Sequence, residues 1–290
     1  MTDPTVLSAM RHGDACDGED SRHPPEIDTS KASIARVYDA FLGGKDNFAS
    51  DRVVYDSIIE IAPQAAEVAK ANRRWLTRVV GYLSRYVGIV QYLDLGAGLP
   101  TMENTHQAAQ RHKPNAVVIY VDNDPAVNAY GRALLEENDH THFITADLTQ
   151  PATLLEHPTV TRALEFDRPM ALIQCATLHH VDDQADPAGI MRQYIDALPS
   201  GSYVALTHWW DPADGSAGST LAQEMQRRMR TSSMGTGRYR TREDILSFFH
   251  GLQLLEPGLV KLDEWWPPGP PIRERSLVEH LILGAVGRKP

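Results

Sequence analysis

The chain has 290 residues, 42% hydrophobic and 23% charged, and its 38 acidic against 28 basic side chains leave a formal charge of −10. That length allows one large α/β domain with an appendage, or two small domains, with about three quarters of the unfolded surface buried on folding. The acidic balance argues against broad binding to nucleic acid or an anionic membrane, and two cysteines, Cys16 and Cys175, leave no disulfide framework or cysteine-rich zinc site.

Residues 1–27 mix Asp, Glu, His, Gly and Pro with few apolar side chains and read as a disordered tail. Ile34, Val37, Tyr38, Phe41 and Leu42 then fall on one face of a helix, which Gly43-Gly44 stops. The loop Lys45 to Phe48 follows and is expected to lie over a ligand cleft, with Tyr38 and Phe48 lining it. Ser50 is placed to cap a second helix to about Ala62. Pro63 begins a third, carrying Val68, Trp75, Leu76, Val79, Leu83 and Tyr86. Residues 28–88 thus read as a helical cap, with Arg73, Arg74 and Arg78 forming one local basic patch.

From residue 89 to 290 the pattern alternates strand and helix. Strands are expected at 90–95, 116–121, 141–146, 170–174 and 203–208. Helices are expected at 102–112, after Asp124-Pro125, after Pro151 and at 186–198. In the second of these, Val127, Tyr130 and Leu134 share a face. Residues 217–250 read as two helical pieces broken at 234–237, and 252–265 and 277–286 as two strands joined by a proline-rich loop. Repeated β-α units imply a parallel sheet with helices on both faces. No apolar run reaches the roughly 18 residues of a bilayer span. The polar start has no signal-peptide core. A cytoplasmic protein is expected, with no nucleic-acid or membrane partner and a homodimer allowed.

The first strand runs into Asp94-Leu95-Gly96-Ala97-Gly98. A glycine turn there lets backbone approach a ligand without a Cβ in the way, and ligands of such sheets lie at these strand ends. A dinucleotide fingerprint wants a third glycine where the chain has Thr101. A ligand without a pyrophosphate, such as S-adenosyl-L-methionine, needs only room and amide donors. Asp94 is placed to accept from an ammonium or to orient the loop. Asp122, ending the second strand, is placed to take ribose hydroxyls, while Asp124 reads as a helix cap. Asp147, ending the third, is placed to accept from an adenine amine, with Leu148 packing on the ring.

These strand ends together resemble the Class I S-adenosyl-L-methionine-dependent methyltransferases. The segment Ser33 to Ala49 and the run Gly98-Leu99-Pro100-Thr101 resemble one bacterial family within them, the S-adenosyl methyltransferases, long catalogued as a domain of unknown function. The resemblance covers about 27–288. It implies a Rossmann-like three-layer sandwich, a seven-stranded mostly parallel sheet with an antiparallel last strand, and a helical N-terminal cap. The implied cofactor set is Asp94, Gly96, Ala97, Gly98, Asp122, Asn123, Asp147, Leu148 and Cys175, with no metal. His179 and His180, after the fourth strand, are the candidate catalytic bases; His106 and His208 are weaker ones. Trp209-Trp210, Tyr239 and Trp265-Trp266 are candidate walls of an acceptor pocket. The expected activity is methyl transfer from S-adenosyl-L-methionine to an O or N nucleophile of a small molecule. A cofactor-binding module acting through a partner stays open, and Thr101 disfavours an NAD-type oxidoreductase.

Overall fold

The computed structural model describes residues 27–100, 103–267, 269 and 273–290. Residues 1–26 of the expected tail, Cys16 and Thr101 lie outside them. The first helix, α1 (Ile34–Leu42), is capped by the Ser33 hydroxyl and ends at Gly43 in the left-handed region, φ 81°. Helix α2 (Ala49–Ile61) is capped by Asp51, whose Oδ2 accepts from the Phe48 N–H at 2.8 Å. The expected cap, Ser50, instead donates to the Thr29 carbonyl. Asp51 also takes Arg36 Nε at 2.9 Å, both side chains buried, so α1 and α2 are pinned as a pair. Helix α3 (Ala65–Tyr82) buries Trp75, Leu76, Val79 and Val80 in the same core as Tyr92, Val118, Ile173 and Val286 of the sheet.

The strands are β1 (Gln91–Leu95), β2 (Val117–Asp122), β3 (Thr141–Thr145), β4 (Ala171–Cys175), β5 (Tyr203–Trp209), β6 (Gln253–Leu254), β7 (Val260–Lys261) and β8 (Ile282–Arg288). Their order is β3-β2-β1-β4-β5-β8-β6, with β7 also on β8. The first five are parallel, and β8 runs antiparallel to β5 from Tyr203↔Arg288 to Trp209↔Ile282. Side chains alternate across the sheet, so Tyr92 and Leu93 enter different cores. The Tyr92 face is covered by α3, α4 (Thr105–Gln110) and α5 (Pro125–Leu134). The Leu93 face is covered by α6 (Pro151–Leu155), α7 (Pro158–Ala163), α8 (Pro187–Ala197) and α10 (Arg242–Ser247). Helix α9 (Ala217–Thr231) lies against α2, with Met225 and Met229 beside Ile58. The chain therefore forms the expected three-layer Rossmann-like sandwich.

Several local expectations change. The strand expected over 252–265 is two short pieces, β6 and β7, both antiparallel to β8 and together filling one lane. Between them lie Pro257, which has no N–H for a ladder, and Gly258 in the left-handed region. The expected seven strands are thus seven lanes built from eight segments. The last strand starts only at Ile282, after a 3₁₀ turn over Leu277–His280. On α5 the inward residues are Ala126, Val127 and Gly131, whereas Leu134 is 51% exposed. Gly131 sits so close to the Phe143 ring that a Cβ there would overlap it, and this contact sets the helix rotation.

Candidate cofactor and active site

The carboxyl ends of β1, β2, β3 and β4, with Trp209 of β5, open on one cavity of about 280 Å³, roofed by α1 and α3. Asp94, Gly96, Ala97, Gly98, Asp122, Asn123, Asp147, Leu148, Cys175, His179 and His180 all line it. Sheet order dictates their sequence in space, because β3, β2, β1 and β4 are successive neighbours.

Two glycines make the turn after β1 for different reasons. Gly96 has φ +83°, and a Cβ there would overlap the Thr177 methyl. Gly98 has φ +64°, and nothing lies within 4 Å of where its Cβ would be. The first glycine lets two loops touch; the second leaves room at the cavity. The Gly96 and Ala97 N–H groups donate to the Val121 carbonyl at 2.8 and 3.0 Å. Asp122 ties the turn to the next one: Oδ2 accepts from the Gly98 N–H and Oδ1 from the Asp124 N–H, both at 2.9 Å. Burial raises its carboxyl from the ordinary value, and these N–H donors oppose that rise. Asp124 caps α5 as expected, accepting from the Ala126 N–H at 2.7 Å, and also takes the Ser33 hydroxyl of the roof. Asp147 is exposed; its Oδ1 accepts the Thr149 N–H and hydroxyl, both at 2.8 Å. The Tyr194 hydroxyl holds Leu148 in place through its carbonyl at 2.8 Å.

Asp94 is buried, and its Oδ2 accepts from the Thr105 hydroxyl at 2.6 Å. Its Oδ1 has no hydrogen-bond partner among the described residues. Burial pushes this carboxyl up to about 6. Above it on α3 stands Arg73, which lines the same cavity. One Arg73 Nη donates to the Glu103 carbonyl at 3.0 Å, while Nε is enclosed and unpartnered. The expected basic patch is therefore dispersed. Arg74 is exposed, and Arg78 donates to the Leu262 and Trp265 carbonyls at 2.8 and 3.2 Å.

Asn72, next to Arg73, joins roof to floor. Its amide donates to the Tyr38 hydroxyl at 3.1 Å, and its Oδ1 accepts from the Thr207 hydroxyl at 2.8 Å and the Cys175 thiol at 3.3 Å. Burial pushes the Cys175 thiol up to about 12, so it is no nucleophile at neutral pH. The sequence reading missed Asn72 and Arg73 as site residues. The available signal was a polar Asn72 within the apolar stripe of Val68, Trp75 and Leu76.

His179 is 1% exposed and stacks on Trp209 with centroids 3.6 Å apart and planes 14° apart. Its Nδ1 is enclosed without a partner. His180 is half-buried, with Nδ1 at 3.0 Å from the Thr236 hydroxyl. His208 does not line the cavity; its Nδ1 donates to the Trp209 carbonyl at 2.7 Å, leaving Nε2 to accept from Arg240 at 2.8 Å. Burial lowers all three, His180 and His208 to about 3, so all are neutral at pH 7. Arg240 also donates to the Leu178 and Val181 carbonyls and to Asp183, fixing the loop that carries the histidine pair. His106 is a core residue bound to Tyr120 and Glu137. Among the described residues no group of three or more His, Cys, Asp or Glu is placed to hold a metal ion.

Of the expected aromatic wall, Trp209 lines this cavity and Tyr239 a smaller chamber behind it. Trp210, Trp265 and Trp266 do neither. Trp265 is a core pin whose Nε1 donates to the Gly258 and Gly284 carbonyls at 3.0 and 2.8 Å. Phe48 and the 45–48 loop do not line the cavity either, because Asp39 holds Asp46 and Asn47 back against α1.

A family match described as S-adenosyl methyltransferase spans residues 20–290. The chain belongs to the S-adenosyl methyltransferase family. It is a methyltransferase whose cofactor is S-adenosyl-L-methionine. A crystal structure of a putative methyltransferase from Thermobifida fusca is 41% identical, with a TM-score of 0.85 over 93% of this chain and 99% of that one. A DUF574 family protein from Streptomyces avermitilis is 36% identical, with a TM-score of 0.83 over 91% and 100%. An O-methyltransferase family protein from Burkholderia thailandensis, 13% identical with a TM-score of 0.50 over 78% and 58%, shares the fold. Comparison with curated proteins gives no match.

The methyltransferase cavity fits this cofactor on its own observations. Open space lies where a Cβ of Gly98 would be, so a ligand can come close to the backbone there. Asp94, with one carboxylate oxygen unpartnered, and the Arg73 side chain line the same cavity with opposite charges, as a zwitterionic amino acid requires. No helix among the described residues is long and apolar enough to cross a membrane.

Proposed function

We propose that this methyltransferase acts on an oxygen or nitrogen nucleophile of a small molecule bound beside His179 and His180. One observation carries the reading: a single cavity joins three strand-end carboxylates to a pair of neutral imidazoles. Asp147 and Leu148 would hold the adenine, Asp122 the ribose, and Asp94 with Arg73 the amino-acid end. Held there, S-adenosyl-L-methionine would supply an electrophilic methyl group on a sulfonium, with sulfur as the leaving group for an acceptor lone pair. The chain's residues align the acceptor, exclude water and take hydrogen bonds from the acceptor's O–H or N–H. Neutral histidines suit that task, since a protonated ring has no acceptor left. Their low basicity makes them orienting acceptors first, with the proton leaving once methylation has made the acceptor acidic.

The test measures S-adenosyl-homocysteine formed from S-adenosyl-L-methionine with fractionated small-molecule extracts. At least one fraction should support turnover, and His180→Asn should lower it while S-adenosyl-homocysteine still binds. A protein that binds S-adenosyl-homocysteine yet turns over with no fraction refutes this reading and favours a binding module.

A further inference from the structure

Resting on the methyl-transfer reading, the cavity walls carry information about the acceptor. Next to the larger cavity, across Trp209, lies a second chamber of about 50 Å³. It shares Tyr38, Phe41, Asn72, Ala176, Trp209 and Met229 with the larger cavity, so the two are separated only by side chains. Behind these six its wall is Ile58, Ala65, Met225, Tyr239 and other apolar residues, with no charged side chain among the lining residues.

The charges of the site are all elsewhere. Asp94, Asp122, Asp147 and Arg73 line the larger cavity and not this chamber. The imidazoles of His179 and His180, which line the larger cavity and not this chamber, are neutral and offer no counter-charge either. A carboxylate or phosphate pushed into the chamber would be buried without a partner, which is strongly unfavourable. What the walls do offer is aromatic edge and sulfur. Trp209 stacks with His179 and with Tyr239, the latter at 5.3 Å and 22°, and His180 meets it at 5.3 Å and 71°, so it turns the remainder of its edge rather than a face to the chamber. Ring edges carry positive partial charge and favour the face of another ring. The Met225 and Met229 thioethers pack well against aromatic rings and adjust to their shape.

We propose that the acceptor is an uncharged aromatic compound, bound with its ring against the Trp209 edge and reaching into this chamber, and with its nucleophilic O–H or N–H turned toward His179 and His180. The polar atoms of the chamber are already committed: at the mouth the Tyr38 hydroxyl donates to the Ala69 carbonyl at 3.1 Å and Asn72 bonds to Tyr38 and Thr207, and on the far wall the Tyr239 hydroxyl is directed to Met225 at 3.4 Å. Selection of the acceptor therefore rests on shape and on the absence of charge, and its one directional contact is to the histidine pair.

The experiment uses the full chain saturated with S-adenosyl-homocysteine and three probes of matched size: 2-naphthol, 2-naphthoate and decahydro-2-naphthol, read by calorimetry and tryptophan fluorescence. The expected result is 2-naphthol binding about tenfold or more tighter than either of the others. Ala65→Met narrows the chamber and should weaken 2-naphthol by about tenfold, while Met225→Ala widens it and should retain binding; neither residue lines the larger cavity, so S-adenosyl-homocysteine affinity should stay within about twofold in both. Equal or tighter binding of 2-naphthoate overturns the uncharged class. Equal binding of decahydro-2-naphthol overturns the aromatic one. Unchanged 2-naphthol affinity in both variants overturns the chamber as its seat. A wild-type protein that does not bind S-adenosyl-homocysteine refutes the methyl-transfer reading itself, a result distinct from all of these.

Discussion

Cofactor affinity should depend on pH through one buried carboxyl. Asp94 stands near 6 in the free protein because burial penalises its charge, and its free oxygen faces the cavity. A bound ammonium favours the ionised form, so the ligand must pull a proton off wherever Asp94 is protonated. The sign follows: affinity is full above pH 6 and falls as pH drops through it. At pH 5 about ten in eleven molecules carry that proton, which costs about 1.4 kcal/mol, or roughly tenfold in Kd relative to pH 8. Calorimetry with S-adenosyl-homocysteine at pH 5, 6, 7 and 8 reads this directly, with circular dichroism checking the fold at each pH. Asp94→Asn should bind about 1.5–3 kcal/mol more weakly at pH 7, the scale of a hydrogen bond to a charged group. Its affinity should also be flat from pH 5 to 8. A flat wild-type profile, or a variant that keeps the slope, refutes the assignment of the ammonium to Asp94.

Asp122→Ala should weaken S-adenosyl-homocysteine by roughly 1–3 kcal/mol, because the Gly98 and Asp124 N–H groups lose their acceptor along with any ribose contact; unchanged affinity in calorimetry moves the ribose contact elsewhere. The three neutral histidines have folded values below the ordinary one, so their stabilisation is present above pH 6.5 and lost as pH falls below it, down to about 3 for His180 and His208. Each adds a slope of about 1.4 kcal/mol per pH unit, while the raised Asp94 and Asp122 act in the opposite sense. Urea midpoints should therefore fall from pH 6.5 to 4, less steeply in His208→Gln, and an unchanged slope in that variant refutes its share. Arg240→Gln should release the loop over Leu178–His180 and lower kcat without weakening S-adenosyl-homocysteine by more than about twofold; equal loss in both makes Arg240 a general scaffold residue.

That the strand-end residues would line one cavity was legible because they follow one another at predictable places along the chain. Gly96 and Gly98 stand out at the end of an apolar run, and Asp122 and Asp147 each close the next one. That Asp122 ties two turns together was not legible, since it depends on Gly98 and Asp124 folding toward it. Asn72 and Arg73 were not legible as site residues, since nothing in a helix far upstream says which strand ends it will cover. The tryptophans show the same limit. Trp209 and Trp265 look alike in sequence, yet the first lines the cavity and the second is buried under β8. Leu134 misled because the close approach of Gly131 to Phe143, not the apolar spacing alone, sets how α5 turns.

The order of strands and helices, the glycine turn, the carboxylates at the strand ends and the histidine pair after β4 all come from the sequence alone, because periodicity and turn chemistry are local. Only the tertiary structure decided which upstream helices roof the cavity, that Asp94 is buried enough to rise to about 6, that the histidines are neutral, and that an uncharged chamber adjoins the cavity. Those properties depend on burial and on contacts between residues distant in the chain, such as Asn72 with Thr207 and Arg240 with His208, and such contacts exist only once the three layers have packed.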